Sequence, residues 1–316
     1  MGATRQSEAA IGAAGARYPD RLREQVDRYL QSMAFIEERS TKGLEEAMRY
    51  SLLAGGKRIR PVLALATARA IGMDQQDVLP LAGAVELIHT YSLIHDDLPA
   101  MDDDELRRGQ PTCHRVFGED VAILAGDALY AEAFRHLLTS QRTTPERVLA
   151  AAAELAHATG VNGMVGGQYL DVCRESANAR SGSAALRHVH ELKTGRLITA
   201  SVSCVLLLAG APEPATIAFR RFAAELGVLF QIVDDILDVT GTDAALGKPS
   251  GSDLRHGRHT YVSEFGVERA RELAAESHTA ARTALAEAMS AQGGAGGDGS
   301  ADELAQITDF IYTRTS

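Results

Sequence analysis

The sequence predicts an all-α protein, a large helical bundle, on three observations. Its apolar content is rich in Ala and Leu, with no Trp and 5% aromatic residues among 316, a bias towards helix formers. Runs of β-branched residues are short, and apolar residues recur at helical spacing along most of the chain. No Pro-, Ser- or charge-rich linker divides this periodic middle, so a single domain is expected over 18–316, after a flexible extension over 1–17.

From Tyr18 to Ser51 the spacing of Leu22, Val26, Tyr29 and Leu30, then Leu44 and Met48, predicts helix that Gly55-Gly56 ends. Pro61 sits where a first helical turn tolerates it, ahead of an Ala- and Leu-rich helix over Val62–Ile71. Val78–Leu98 is apolar nearly all round, the pattern of a buried central helix, and Pro99 stops it. Further helices are expected at Val121–Thr139, Pro145–Tyr169, Ala184–Leu208 and Pro214–Val239, joined by short connections. Gln292–Gly299 is Gly-rich and reads as a mobile loop within 290–300, with no strand-loop-helix context to make it a phosphate-binding turn.

The formal charge of -10, with no broad basic stripe, argues against a nucleic-acid partner. Cys113, Cys173 and Cys204 lack paired metal spacing and read as reduced, packed thiols of a cytoplasmic protein. The start has no apolar signal core, Gln6 breaks the myristoylation pattern, and the apolar run Val202–Ala211 is too short to span a bilayer, so no stable membrane insertion is expected.

Two acidic clusters stand out: His95-Asp96-Asp97 through Asp102-Asp103-Asp104, and Asp234-Asp235-Ile236-Leu237-Asp238. Each follows a segment of buried character, a costly place for carboxylates unless a cation compensates them. A helix sets Asp234 and Asp238 on one face, with Asp235 beside them, while the Pro99 turn can carry Asp102 back towards Asp96 and Asp97. Hard oxygen donors from separate positions suit magnesium shared with substrate phosphates. The cations Lys57, Arg58, Arg60, Arg107, Arg108, Lys193 and Lys248 lie near glycines such as Gly56 and Gly109, where backbone amides can approach an anion. Together these point to a metal-bridged polyphosphate substrate.

The stretch from Tyr18 to Arg314 resembles the trans-isoprenyl diphosphate synthases, the polyprenyl synthetase family. The carriers are Gly55-Gly56-Lys57-Arg58-Ile59-Arg60-Pro61, the first aspartate-rich motif from Asp96 to Asp102 continued by Leu106-Arg107-Arg108-Gly109, Lys193-Thr194-Gly195, and Phe230-Gln231-Ile232-Val233-Asp234-Asp235-Ile236-Leu237-Asp238. The resemblance implies a bundle around a deep central cavity, head-to-tail prenyl transfer, and a homodimer. It implies three magnesium ions with substrate bound, held by Asp96, Asp97, Asp102 and Asp234, with Asp235 and Asp238 acting through neighbours or water. It assigns Arg107, Lys193, Thr194, Gln231 and Lys248 to the allylic diphosphate, and Lys57, Arg60, His89 and Arg108 to isopentenyl diphosphate.

Tyr91 lies five residues before Asp96, about 7.5 Å down an ideal helix, and small Ser92 follows it. An aromatic there, with Pro99 and Ala100 inserted in the aspartate motif, resembles bacterial farnesyl diphosphate synthases, so fifteen carbons are expected, with a geranylgeranyl product as the alternative. Arg258 stands where the family has lysine, and Val262 where it has proline; arginine keeps the phosphate-binding charge but changes its geometry. A terpene cyclase would not need Lys57, Arg60 and Arg108, and a non-catalytic subunit would not keep both aspartate motifs.

Overall fold

The computed structural model describes residues 17–35, 39–173, 183–241, 257–292 and 301–314. The expected flexible extension up to residue 16, Lys248, the segment 251–256 and most of the Gly-rich stretch lie outside them.

Leu22, Val26 and Leu30 form the buried stripe of α1 (Asp20–Ser32). The single helix expected from Tyr18 to Ser51 is in fact two. Met33 is extended, a turn over Arg39–Thr41 follows, and α2 (Lys42–Leu52) buries Ala47, Met48 and Leu52. Arg49 of α2 donates to the carbonyls of Met33 at 2.7 Å and Gln31 at 3.0 Å, satisfying groups that the end of α1 leaves without helical partners. The intervening sequence holds no Gly or Pro to announce the break.

Helices α3 (Ile59–Ala70) and α4 (Leu79–Asp96) are buried on almost every face, as their unbroken apolar character predicts. After α4 the chain turns through Pro99, and the Asp102 amide donates to the Asp96 carbonyl at 2.9 Å. A small hairpin that the periodicity did not predict follows, β1 (Leu106–Arg107) against β2 (Gln110–Pro111), the only strand pair among the described residues. Its two-residue turn, Arg108-Gly109, has positive φ at both positions, as a hairpin turn that matches strand twist requires.

A short helix, α5 (Cys113–Phe117), leads into α6 (Glu119–Ser140), which packs along α4. The helix expected over Pro145–Tyr169 is divided into α7 (Pro145–Thr159) and α8 (Met164–Val172). The bend falls at Gly160 and Gly163; a side chain on Gly163 would strike the carbonyl of Ala158. The expected helix over Ala184–Leu208 is present as α9 (Ser183–His190) and α10 (Arg196–Ala209), joined without a break by one wide π turn over Glu191–Gly195. The run Ala184–Ala209 is long and apolar enough to cross a membrane by composition, more than its last third suggested, although most of its apolar window is buried within the protein.

Helix α11 (Glu213–Thr240) carries the second aspartate cluster at its C-terminal end. Helices α12 (Tyr261–Phe265), α13 (Val267–Ala291) and α14 (Asp302–Thr313) complete the bundle. In space α3 touches α4 and α10, α10 touches α7 and α11, and α11 packs along α13 and against α14. One apolar cluster runs through all of them.

Candidate active site between the two aspartate helices

The end of α4 builds the first wall. Asp97 is 3% exposed. It accepts from Nε of Arg107 at 2.9 Å and from Nη2 of the same residue, which also lies 3.3 Å from Asp104. Burial pushes the Asp97 carboxyl up to about 6 while Arg107 pulls it back. Asp96 accepts from Nε2 of Gln168 at 2.7 Å; burial raises its carboxyl above the ordinary range, with Lys193 the strongest opposing charge.

Asp102 pairs with Arg258, whose Nε lies 3.4 Å from Asp171. Asp171 in turn holds Nζ of Lys193 at 2.6 Å. Burial works to raise the Asp171 carboxyl, but Lys193 and Arg258 together bring it below the usual range.

Two consecutive residues of the π turn over Glu191–Gly195 meet different helices, Lys193 reaching Asp171 of α8 and Thr194 reaching Gln231 of α11, and such turns are frequent at functional sites. Thr194 donates to Gln231 at 2.9 Å, and Gln231 donates to Asp235 at 2.7 Å. Glycine at 167 lets α8 approach this turn, since a Cβ there would strike the backbone of Lys193. A chain of polar contacts therefore runs from the first motif at Asp102 through Arg258, Asp171 and Lys193, and from the adjacent Thr194 through Gln231 to Asp235 in the second.

In the second wall the three aspartates differ. Asp235 is buried and also accepts from the Tyr261 amide at 2.7 Å, so it ties α11 to the start of α12. Asp238 is buried as well, whereas Asp234 is exposed and acts electrostatically on Arg60 and Arg314.

The basic loop before α3 is held from below. Arg58, in a left-handed conformation and 4% exposed, donates to Glu86 at 2.6 Å, Asp27 at 2.9 Å and the Leu52 carbonyl at 2.7 Å. This buried arginine anchors its neighbours: the Lys57 carbonyl accepts from the Tyr18 hydroxyl at 2.6 Å, and the Arg60 guanidinium lies 5.7 Å from the centre of the Phe230 ring. Arg108, left-handed at the hairpin turn, donates to the Gly55 carbonyl and lies over Gly56, where a Cβ would come within 2.7 Å of its guanidinium carbon. His89, one turn above Glu86, is kept neutral. Burial, then the charges of Arg60 and Arg108, lower its proton affinity well below the ordinary histidine value.

Tyr91 is 8% exposed and lies edge-on to Tyr130 of α6, with ring centres 5.0 Å apart, and to His95 at 5.8 Å. Ser92 donates to the His89 carbonyl at 2.9 Å. The ring of Tyr91 is thus taken up by the seam between α4 and α6.

The sequence reading missed Gln168 and Asp171. Their signal is faint but present: two polar residues three apart on the otherwise apolar α8, hence on one face. Arg58 was noticed for its charge, yet only the fold shows that it is buried and paired with Glu86.

Among the described residues no group of three His, Cys, Asp or Glu side chains encloses a metal position. The donor chemistry nevertheless fits magnesium, which takes one or two carboxylates and fills its remaining positions with phosphate oxygens and water. Burial of Asp96, which disfavours its charged form, is a cost that a bound cation would offset.

A sequence profile of the polyprenyl synthetase family matches residues 41–292. The chain is 49% identical over 243 residues to the chloroplastic geranylgeranyl pyrophosphate synthase of Capsicum annuum, covering 77% of this chain and 66% of that protein. It is 47% identical over 263 residues to the corresponding synthase of Catharanthus roseus, covering 83% and 73%. The chain thus spans about two thirds of the length of the curated relatives it matches. The crystal structure of a geranyltransferase from Helicobacter pylori, complexed with magnesium and isoprenyl diphosphate, superposes with a TM-score of 0.78 at 33% identity, covering 84% of this chain and 89% of that one.

Proposed function

Because the chain belongs to the polyprenyl synthetase family, we propose that it is a prenyltransferase that condenses isopentenyl diphosphate with an allylic diphosphate and releases pyrophosphate. The observation that carries this reading is the contact chain joining the two aspartate motifs, with a separate group of cations, Arg60 and Arg108 foremost, acting on His89. Two anion sites, one of them acidic enough to need a metal, suit a donor and an acceptor diphosphate.

In the reaction the allylic carbon–oxygen bond breaks, the double bond of isopentenyl diphosphate forms the new carbon–carbon bond, and the released pyrophosphate takes the proton that is lost. Asp96, Asp97, Asp102 and Asp234 would hold magnesium, which when bound would supply neutralisation of the charge developing on the leaving diphosphate. Lys193, Thr194, Gln231 and Arg107 hold the leaving group, and Arg258 takes the place of the usual lysine. Fixed cations of this kind typically contribute several kcal/mol to stabilising the leaving charge. Lys57, Arg60 and Arg108 hold the acceptor diphosphate beside a neutral His89, and the apolar walls exclude water from the allylic cation.

We favour a geranylgeranyl product over the farnesyl product expected from Tyr91. Relatives named for the twenty-carbon product are 49% and 47% identical to this chain over the 243 and 263 residues that align, and the Tyr91 ring is engaged by Tyr130. The geranyltransferase neighbour keeps the shorter product as the second reading. Mass analysis of products from isopentenyl diphosphate with dimethylallyl, geranyl or farnesyl diphosphate tests both: twenty carbons from each starter is expected, and termination at fifteen would restore the farnesyl reading. The protein acts as a homodimer in this proposal, and exposed Leu124 and Leu138 on α6 and Leu149 on α7 are apolar side chains that such an interface would bury.

A further inference from the structure

A cavity of about 100 Å³ opens where α9, the π turn, α10, α11 and α12 meet, with Arg187, His190, Arg196, Thr199 and Tyr261 in its walls. A water needs only about 10–15 Å³, so the space suits a group the size of a phosphate. None of these side chains holds magnesium or either diphosphate in the proposed reaction. Gly195 and Gly227 form one edge. A Cβ on Gly227 would come within 3.0 Å of the Gly195 Cα, so the π turn and α11 meet there backbone to backbone.

The walls are basic, in a chain whose formal charge is -10. Arg187 and Arg196 stand beside one lining carboxylate, Glu191, which is exposed and lies 3.3 Å from Nη2 of Arg196. That pairing leaves Nε of Arg196 buried with no acceptor, and buried donors without partners are rare. Thr199 adds a hydroxyl, and the charge of Arg187 acts on the Tyr261 phenol across the same space. A tetrahedral oxyanion matches this set, since its oxygens accept from forked guanidinium N–H groups and from hydroxyls together.

We propose that this cavity is a third anion site, which takes a small phosphate-bearing anion on Arg187, Arg196 and Thr199. It also adjoins the second aspartate motif. The His190 ring stacks on Tyr261 with centres 5.4 Å apart, and Nε2 of His190 lies 3.9 Å from Asp235, the carboxylate that accepts from the Tyr261 amide. An occupant therefore bears on Asp235 through the stacked pair without entering the space between the two motifs. Free phosphate and the pyrophosphate released by prenyl transfer share the required chemistry.

The test follows the His190 ring by NMR, its signals assigned by comparison with His190→Gln. Inorganic phosphate or pyrophosphate is added to metal-free protein at constant pH and ionic strength. A saturable shift of the His190 signals is expected in wild type, and the anion with the lower midpoint identifies the preferred source. Arg196→Gln should raise that midpoint by about tenfold or more, the scale of one hydrogen bond to a charged group. Arg196→Lys should recover part of the loss through charge, but not the forked geometry. Lys57→Gln, at a separate site, should move the midpoint by less than about twofold. A shift that does not saturate, a midpoint that Arg196→Gln leaves unchanged, or one that responds to Lys57→Gln instead would overturn the site. No turnover is measured, so the result stands whether or not the protein condenses two diphosphates.

Discussion

His89 shows what burial does to a single group in this site. Its charged form is disfavoured by lost hydration and by the surrounding arginines, so the imidazole should be neutral throughout the working range and act as a hydrogen-bonding group. A titration of the His89 ring followed by NMR should show no protonation at pH 6, and protonation near the ordinary value of about 6.5 would contradict the packing described. Tyr91 gives a second test at this scale. If the seam with Tyr130 is its whole role, Tyr91→Ala should cost on the order of 3 kcal/mol of stability and leave the product ratio unchanged. A shift to longer products would show instead that the ring borders the growing chain. The motif residues were legible because carboxylate pairs and clustered cations in apolar surroundings demand a compensating ligand. Gln168 and Asp171 were not, because a lone polar pair three residues apart gains meaning only when Asp96 and Lys193 are seen opposite it.

Among the elements, the π turn at Glu191–Gly195 carries the most function, since it divides Lys193 and Thr194 between α8 and α11. It depends on the close approach at Gly167. Gly167→Val should push α8 from the turn and lower kcat/KM by about a hundredfold, the scale on which a displacement near 1 Å acts, with far-ultraviolet circular dichroism unchanged. A variant with normal turnover would show that the turn tolerates the displacement. Periodicity revealed the long helices, because their apolar stripes repeat, but not this turn, whose residues keep the helical pattern while the hydrogen bonding changes. For the same reason the break between α1 and α2 was invisible: Met33 leaves the helix with no Gly or Pro to mark it, and the reward, Arg49 satisfying two carbonyls, is tertiary.

For the whole molecule, the helices converge so that one polar chain ties both aspartate motifs together while the basic loop, hairpin and last helix gather a second set of cations. The all-helical class was legible from composition; that Arg314 at the end of the last helix shares the Phe230 ring with Arg60 was not, because Arg314 is far from every motif in the sequence. The proposed homodimer, with Leu124 in its interface, predicts a dimer by light scattering, and Leu124→Glu should yield monomer, since a buried unpaired carboxylate is strongly disfavoured; a monomeric wild type would remove that proposal. The central claim is a coupling of two diphosphates, and the measurement that tests it most directly is the stoichiometry of pyrophosphate release. Wild type with magnesium, an allylic diphosphate and isopentenyl diphosphate should release one pyrophosphate for each isopentenyl diphosphate consumed, and Asp96→Ala should release none. Pyrophosphate release from the allylic substrate with no consumption of isopentenyl diphosphate would contradict the account.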